Sequence, residues 1–185
     1  MRESYNFNKI LERKKLFAGK AFDVAEYKVL VNGQKVKREI IERKHGVVTV
    51  PIDADLNIYM ISEYCAGSNS FILSLPGGKV ENGEEDNIIE AAQREMQEEI
   101  GLRAKKMFKL QFAYSHPSIS NRKSHAFLAY DLFRDPLPES GEIIDIVKMP
   151  LEQAIESCYA DFESDVSTIG NLYMAKNKLI KLGLM

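Results

Sequence analysis

A chain of 185 residues with 45% hydrophobic content can bury a substantial core, and its length suits one domain with at most a small appended sheet. A net charge of -2 and a pI near 6.0 exclude any general electrostatic pull toward nucleic acid or anionic membrane, so nucleotide recognition has to be local. No segment has the apolar length of a bilayer span, and the basic N-terminal stretch is not followed by an apolar run; the expectation is a cytoplasmic globular protein.

In chain order, residues 17–41 alternate apolar and polar positions around Asn32 and Gly33, which predicts a hairpin in a small antiparallel sheet. VVTVPID and LNIYMISEY read as core strands separated by an Asp-Ala-Asp turn, and FILSL as a third. Pro76 ends that pattern, and Gly77 and Gly78 allow a turn or a close backbone approach barred to other residues. A helix is predicted over Ile88 to Ile100, with Asn87 as cap, Glu90 completing a capping box and Gly101 as left-handed stop. Its apolar side carries Ile88, Ala91, Ala92 and Met96, widened by Ile89.

MFKLQFAYS and SHAFLAYDLF supply further strands. DPLPESGEIIDIVKMP reads as a loop leading to a short strand, and LEQAIESCYA and DVSTIGNLYMAKNKLIKLG as two terminal helices. Such a mixed order argues for an α+β or sandwich architecture, a mixed sheet flanked by helices, and against a repeating doubly wound sheet. Cys65 and Cys158 lack CxxC spacing or a nearby histidine pattern, so neither zinc nor a disulfide framework is expected.

The chemistry concentrates on one helical turn. Residues three and four apart share a helix face, so Glu95 neighbours both Glu98 and Glu99 and the three carboxylates can meet one hard cation, with a backbone carbonyl from the preceding glycines joining them. The competing reading is a solvated acidic face, which costs only about 0.2 to 0.5 kcal/mol per exposed like-charge pair. Partly buried carboxylates about 5 Å apart repel by roughly 3 kcal/mol per pair at an effective dielectric near 20, and burial therefore demands a cation.

Gly78, Glu84, Arg94, Glu95, Met96, Glu98, Glu99, Gly101 and Leu102, taken together, resemble the Nudix hydrolase signature. One spacing departs: nine residues separate Glu84 from Arg94 where the family pattern has seven, so either the loop is two residues longer or Asp86 takes the usual glutamate's place. The resemblance spans nearly the whole chain and is closest to the ADP-ribose pyrophosphatase branch. It implies an α/β/α sandwich over residues 45–185, with residues 1–44 as an N-terminal sheet that helps form a homodimer.

The resemblance further implies Mg²⁺, with Mn²⁺ as a substitute, and hydrolysis of ADP-ribose to AMP and ribose 5-phosphate. Glu95, Glu98 and Glu99 are the implied metal ligands, with the Gly77 carbonyl as a fourth. Arg94, counted with Glu98 in the catalytic set, orients a glutamate by an ion pair. The branch's loop base corresponds to Glu142, with Glu139 in reserve. Pro117 lies 15 residues beyond Leu102, near the spacing of ADP-ribose hydrolases, and Arg38 matches a branch arginine near substrate, although a basic hairpin end is also ordinary surface.

Two features depart from the branch. Ser62 stands where an arginine is common, and His116 and Ser118 flank the proline in place of the commoner Ser-Pro-Gly. Other nucleotide sugars such as GDP-mannose, NADH and dinucleoside polyphosphates therefore stay open as substrates, as does a catalytically silent nucleotide sensor.

Overall fold

Alternation along neighbouring strands places the main core. The computed structural model describes residues 9–137, 144–160 and 164–185, which fall into two compact units. The larger begins at Gly46 and contains β4 (Gly46–Ile52), β5 (Asn57–Cys65), β6 (Ser70–Ser74), β7 (Gly77–Lys79), α1 (Ile88–Ile100), most of β8 (Leu102–Tyr114) and β9 (Lys123–Arg134), β10 (Ile144–Pro150), α2 (Leu151–Ala160) and α3 (Val166–Leu182). Its sheet runs β10-β5-β4-β9-β8, with β6 added on β5 and β7 on β4. The sheet is mixed, because β4 pairs parallel with β9 but antiparallel with β5 and β7.

Successive side chains in a strand point to opposite faces, and both faces of this sheet are apolar. Ile58 and Met60 of β5 and Leu128 of β9 pack with Leu151, Ala154 and Ile155 of α2 and Leu172, Ala175 and Leu179 of α3. Their neighbours Ile61, Phe127 and Ala129 turn the other way, toward Ala91, Ala92, Met96 and Ile100 of α1. The result is a helix layer on each side of a mixed sheet, the sandwich that the resemblance implies and with which the element order is consistent.

The turn between β4 and β5 is built by Asp53, whose Oδ1 accepts from the N–H groups of Asp55 and Asn57 at 3.0 and 2.9 Å. At the start of α3, the side chain of Asp165 accepts from the N–H groups of Ser167 and Thr168. Cys65 is half-buried and Cys158 buried, and both are free thiols. No helix among the described residues is long and apolar enough to cross a membrane.

The other unit comprises the described residues up to His45 together with Tyr114–Lys123. It holds an antiparallel sheet, β1 (Ile10–Ala18), β2 (Asp23–Val31) and β3 (Gln34–Glu42), in the order β1-β2-β3. The β2-β3 hairpin turns at Asn32 and Gly33, with φ of 50° and 79°, the left-handed pair that a two-residue primed turn requires. β1 was not expected, since every residue of ILERKKLFA is exposed and its charges obscure the strand pattern.

Candidate active site

Helix α1 has the expected span, and it ends on Gly101 in the left-handed region at φ 69°. Its start corrects the sequence reading. Asn87 occupies the cap position but makes no side-chain cap bond, and Glu90, instead of closing a capping box, pairs with Arg103 Nη2 at 2.6 Å. Two glutamines hold the helix in place: Gln93 exchanges hydrogen bonds with the backbone of Ala104 at 2.7 and 3.0 Å, and Gln97 Nε2 donates to Asp135 O at 2.9 Å. Both are buried.

The glycine pair is part of a short strand instead of a turn. Neither Gly77 nor Gly78 has a positive φ; both are required by close approach. A Cβ on Gly77 would fall 2.3 Å from Val47 O on β4, and one on Gly78 would fall 2.3 Å from Glu95 Oε2. β7 therefore fits between its partner strand and the glutamate turn only because two successive side chains are missing.

Backbone donors alternate from one edge of a strand to the other, so residues 77 and 79 present their N–H groups on the same side. Gly77 N–H donates to Glu99 Oε2 at 2.8 Å, and Lys79 N–H donates to the Glu95 carboxylate. Three residues of backbone thus hold two of the three carboxylates. Side-chain identity gives no sign of these donors, and the only cue in the sequence is a glycine pair ahead of an acidic helix.

Arg94 distributes its guanidinium among the remaining acids. It meets Glu84 Oε1 through Nε at 2.8 Å, Glu98 Oε2 through Nη1 at 2.8 Å and Glu95 Oε1 through Nη2 at 2.9 Å, and Nη2 also donates to Lys79 O at 3.0 Å. These partners raise the arginine above its ordinary pKa. Burial pushes the Glu95 carboxyl up, against the opposing pull of Arg94. Glu84 thus pairs with Arg94 across the nine residues that separate them.

The donors are hard oxygens on one turn, two of them held by backbone N–H groups, and that chemistry fits a divalent cation. Among the described residues no three acidic, histidine or cysteine side chains are gathered as a ready metal cluster; Arg94 occupies the centre of Glu84, Glu95 and Glu98, while Glu99 is directed to β7. The chain then passes the same turn again, with Leu137 N–H bonded to Gln97 O at 3.4 Å, and the described residues resume at Ile144.

Glu139 and Glu142 lie outside the described residues. Arg38 and Pro117 belong to the smaller unit and are exposed; Arg38 Nη1 donates to Lys37 O at 2.9 Å. His116 is also exposed, and its carbonyl accepts from Ile119 and Ser120. Ser62 lies on β5, opposite Asp145 of β10 and Leu73 of β6.

A model of the NUDIX domain matches residues 42–167. The chain is 31% identical over 154 residues to an ADP-ribose pyrophosphatase of Bacillus subtilis (strain 168), covering 80% of this chain and 81% of that protein. It is 28% identical over 153 residues to a methanol dehydrogenase activator of Bacillus methanolicus, again covering 80% and 81%. A crystal structure of an ADP compounds hydrolase superposes with a TM-score of 0.84 at 25% identity, over 99% of this chain and 100% of the other.

Proposed function

The chain belongs to the Nudix family, and we propose that it is a divalent-metal-dependent pyrophosphatase that hydrolyses ADP-ribose, or a closely related nucleoside diphosphate derivative, at the diphosphate. The observation that supports this most is the grip of β7 on the helix: Gly77 and Lys79 N–H groups hold Glu99 and Glu95 before any substrate arrives. Preorganised charge of this kind stabilises a transition state without reorganisation during the reaction.

Glu95, Glu98 and Glu99 would hold the cation, Mg²⁺ or Mn²⁺, with the Gly77 carbonyl as a fourth oxygen. When bound, such an ion neutralises charge on the phosphoryl oxygens and lowers the pKa of a bound water. Arg94 is a positioning residue in this scheme, since it fixes the Glu98 and Glu95 side chains and screens their repulsion. Glu142, or Glu139 in its place, accepts the proton of the attacking water. One P–O bond of the diphosphate breaks, and ADP-ribose plus water gives AMP and ribose 5-phosphate. Arg38 and Pro117 are the proposed substrate contacts.

The small sheet is proposed to join two copies of the chain in a cytoplasmic homodimer, a reading supported by exposed Ile10, Leu11, Leu16 and Phe17 on β1. Light scattering should then report twice the 21.0 kDa chain mass, and a monomer at assay concentration would remove this part of the proposal.

A second reading is a nucleotide sensor without turnover, favoured by the position of Arg94 among the acids and by the relative described as a methanol dehydrogenase activator. Incubation with ADP-ribose, GDP-mannose, NADH and a dinucleoside polyphosphate in Mg²⁺, with products separated by chromatography, distinguishes the readings. Turnover of another compound but not ADP-ribose would move the substrate assignment; calorimetric binding without any product would favour the sensor.

A further inference from the structure

In the smaller unit, residues 114–123 are fixed against the end of β3. Ile41 N–H donates to Ile119 O at 2.8 Å, Asn121 N–H to Ile41 O at 3.2 Å, and Arg43 N–H to Asn121 Oδ1 at 2.9 Å. Within the segment, Ser115 N–H donates to Arg122 O at 3.3 Å, and Arg122 N–H donates to Ser120 Oγ at 3.2 Å. Two arginines thereby come together on backbones that have little freedom to separate.

Arg43 is exposed and Arg122 is half-buried. Burial and repulsion from Arg43 push the Arg122 guanidinium down from its ordinary pKa. Arg13, Arg94 and Arg103 each hold a carboxylate, whereas among the described residues neither Arg43 nor Arg122 makes an ion pair. A desolvated cation without a counter-charge is unfavourable, and a second cation beside it adds to the cost. A doubly charged anion would relieve both terms at once, where a carboxylate would offset only one, and the planar fork of each guanidinium matches phosphate oxygens bidentately.

We propose that Arg43 and Arg122 form a binding site for a phosphoryl group, built where the 114–123 segment docks on β3. The group is either part of the substrate or a separate phosphorylated ligand. Phosphate binding at this pair is independent of turnover at Glu99.

The test is thermal unfolding of the intact protein in inorganic phosphate against chloride at equal ionic strength. Wild type and Glu99→Gln should gain at least about 3 °C in phosphate. Arg122→Gln should match or exceed wild type in chloride, because an unpaired charge is gone, and should lose the phosphate gain. Arg43→Gln, an exposed change, should lose most of it as well. Absence of the gain in wild type, or its retention in both arginine variants, overturns the site. Displacement of bound phosphate by ADP-ribose in Glu99→Gln assigns the phosphoryl group to the substrate, and simultaneous binding assigns it to a separate ligand.

Discussion

Arg94 and Arg122 show how the same side chain can mark opposite chemistry. Arg94 is one cation among Glu84, Glu95 and Glu98, leaving an excess of negative charge. Arg122 lies beside a second cation, with no carboxylate in contact among the described residues. The first surplus suits a metal ion and the second an anion, and in both cases backbone hydrogen bonds hold together the segments involved.

The metal side of this contrast carries the largest expected effects. Glu99→Gln would remove a proposed metal ligand, a loss of several kcal/mol of transition-state stabilisation, so kcat should fall roughly 10³-fold while the circular dichroism spectrum is preserved. Near-normal turnover would remove Glu99 from the metal. Gly78→Ala comes next, since its Cβ would overlap the Glu95 carboxylate. A displacement near 1 Å should cost roughly 10²-fold in kcat/KM, and an unaffected rate would show that Glu95 need not sit where it does.

Arg94→Gln should destabilise the metal-free protein by about 1 to 3 kcal/mol, a range that reflects charged hydrogen bonds at side chains about a quarter exposed. Mg²⁺ should then stabilise the variant more than wild type, because the ion takes over the neutralising role. Equal Mg²⁺ shifts in a melting experiment would separate Arg94 from the metal site.

The smallest effect is expected in the other unit. Arg13 and then Tyr27 hold the Glu42 carboxyl down to about 2 from an ordinary 4.5. A depressed carboxylate contributes stability that is present above pH 4.5 and lost as pH falls toward 2. Glu42→Gln should therefore be less stable than wild type at neutral pH and begin to unfold at higher pH, with the difference between the two narrowing as pH falls toward 2. Superimposable normalised acid transitions would show that the contact contributes nothing.

Much of this was legible in residue order. Asn32-Gly33 specified its turn, the 88–100 periodicity specified α1, and the run from Arg94 to Leu102 marked the glutamate turn, because each depends on local spacing. The backbone donors of β7 were not legible, since Gly77 and Lys79 act through N–H groups that every residue but proline carries. Nothing in the local spacing marks Gln93 and Gln97, whose amides satisfy backbone groups of Ala104 on β8 and of Asp135, a tertiary relation. β1 was hidden for a similar reason: its strand pairing with β2 leaves all nine residues exposed, with no buried face to impose alternation.

The most direct measurement is chromatography of products after incubating wild type and Glu99→Gln with ADP-ribose, each with Mg²⁺ and with chelator. AMP and ribose 5-phosphate should form in equal amounts from wild type with Mg²⁺, with almost none in the other three reactions. Substrate that binds wild type yet stays intact at every Mg²⁺ or Mn²⁺ concentration would contradict the hydrolase account.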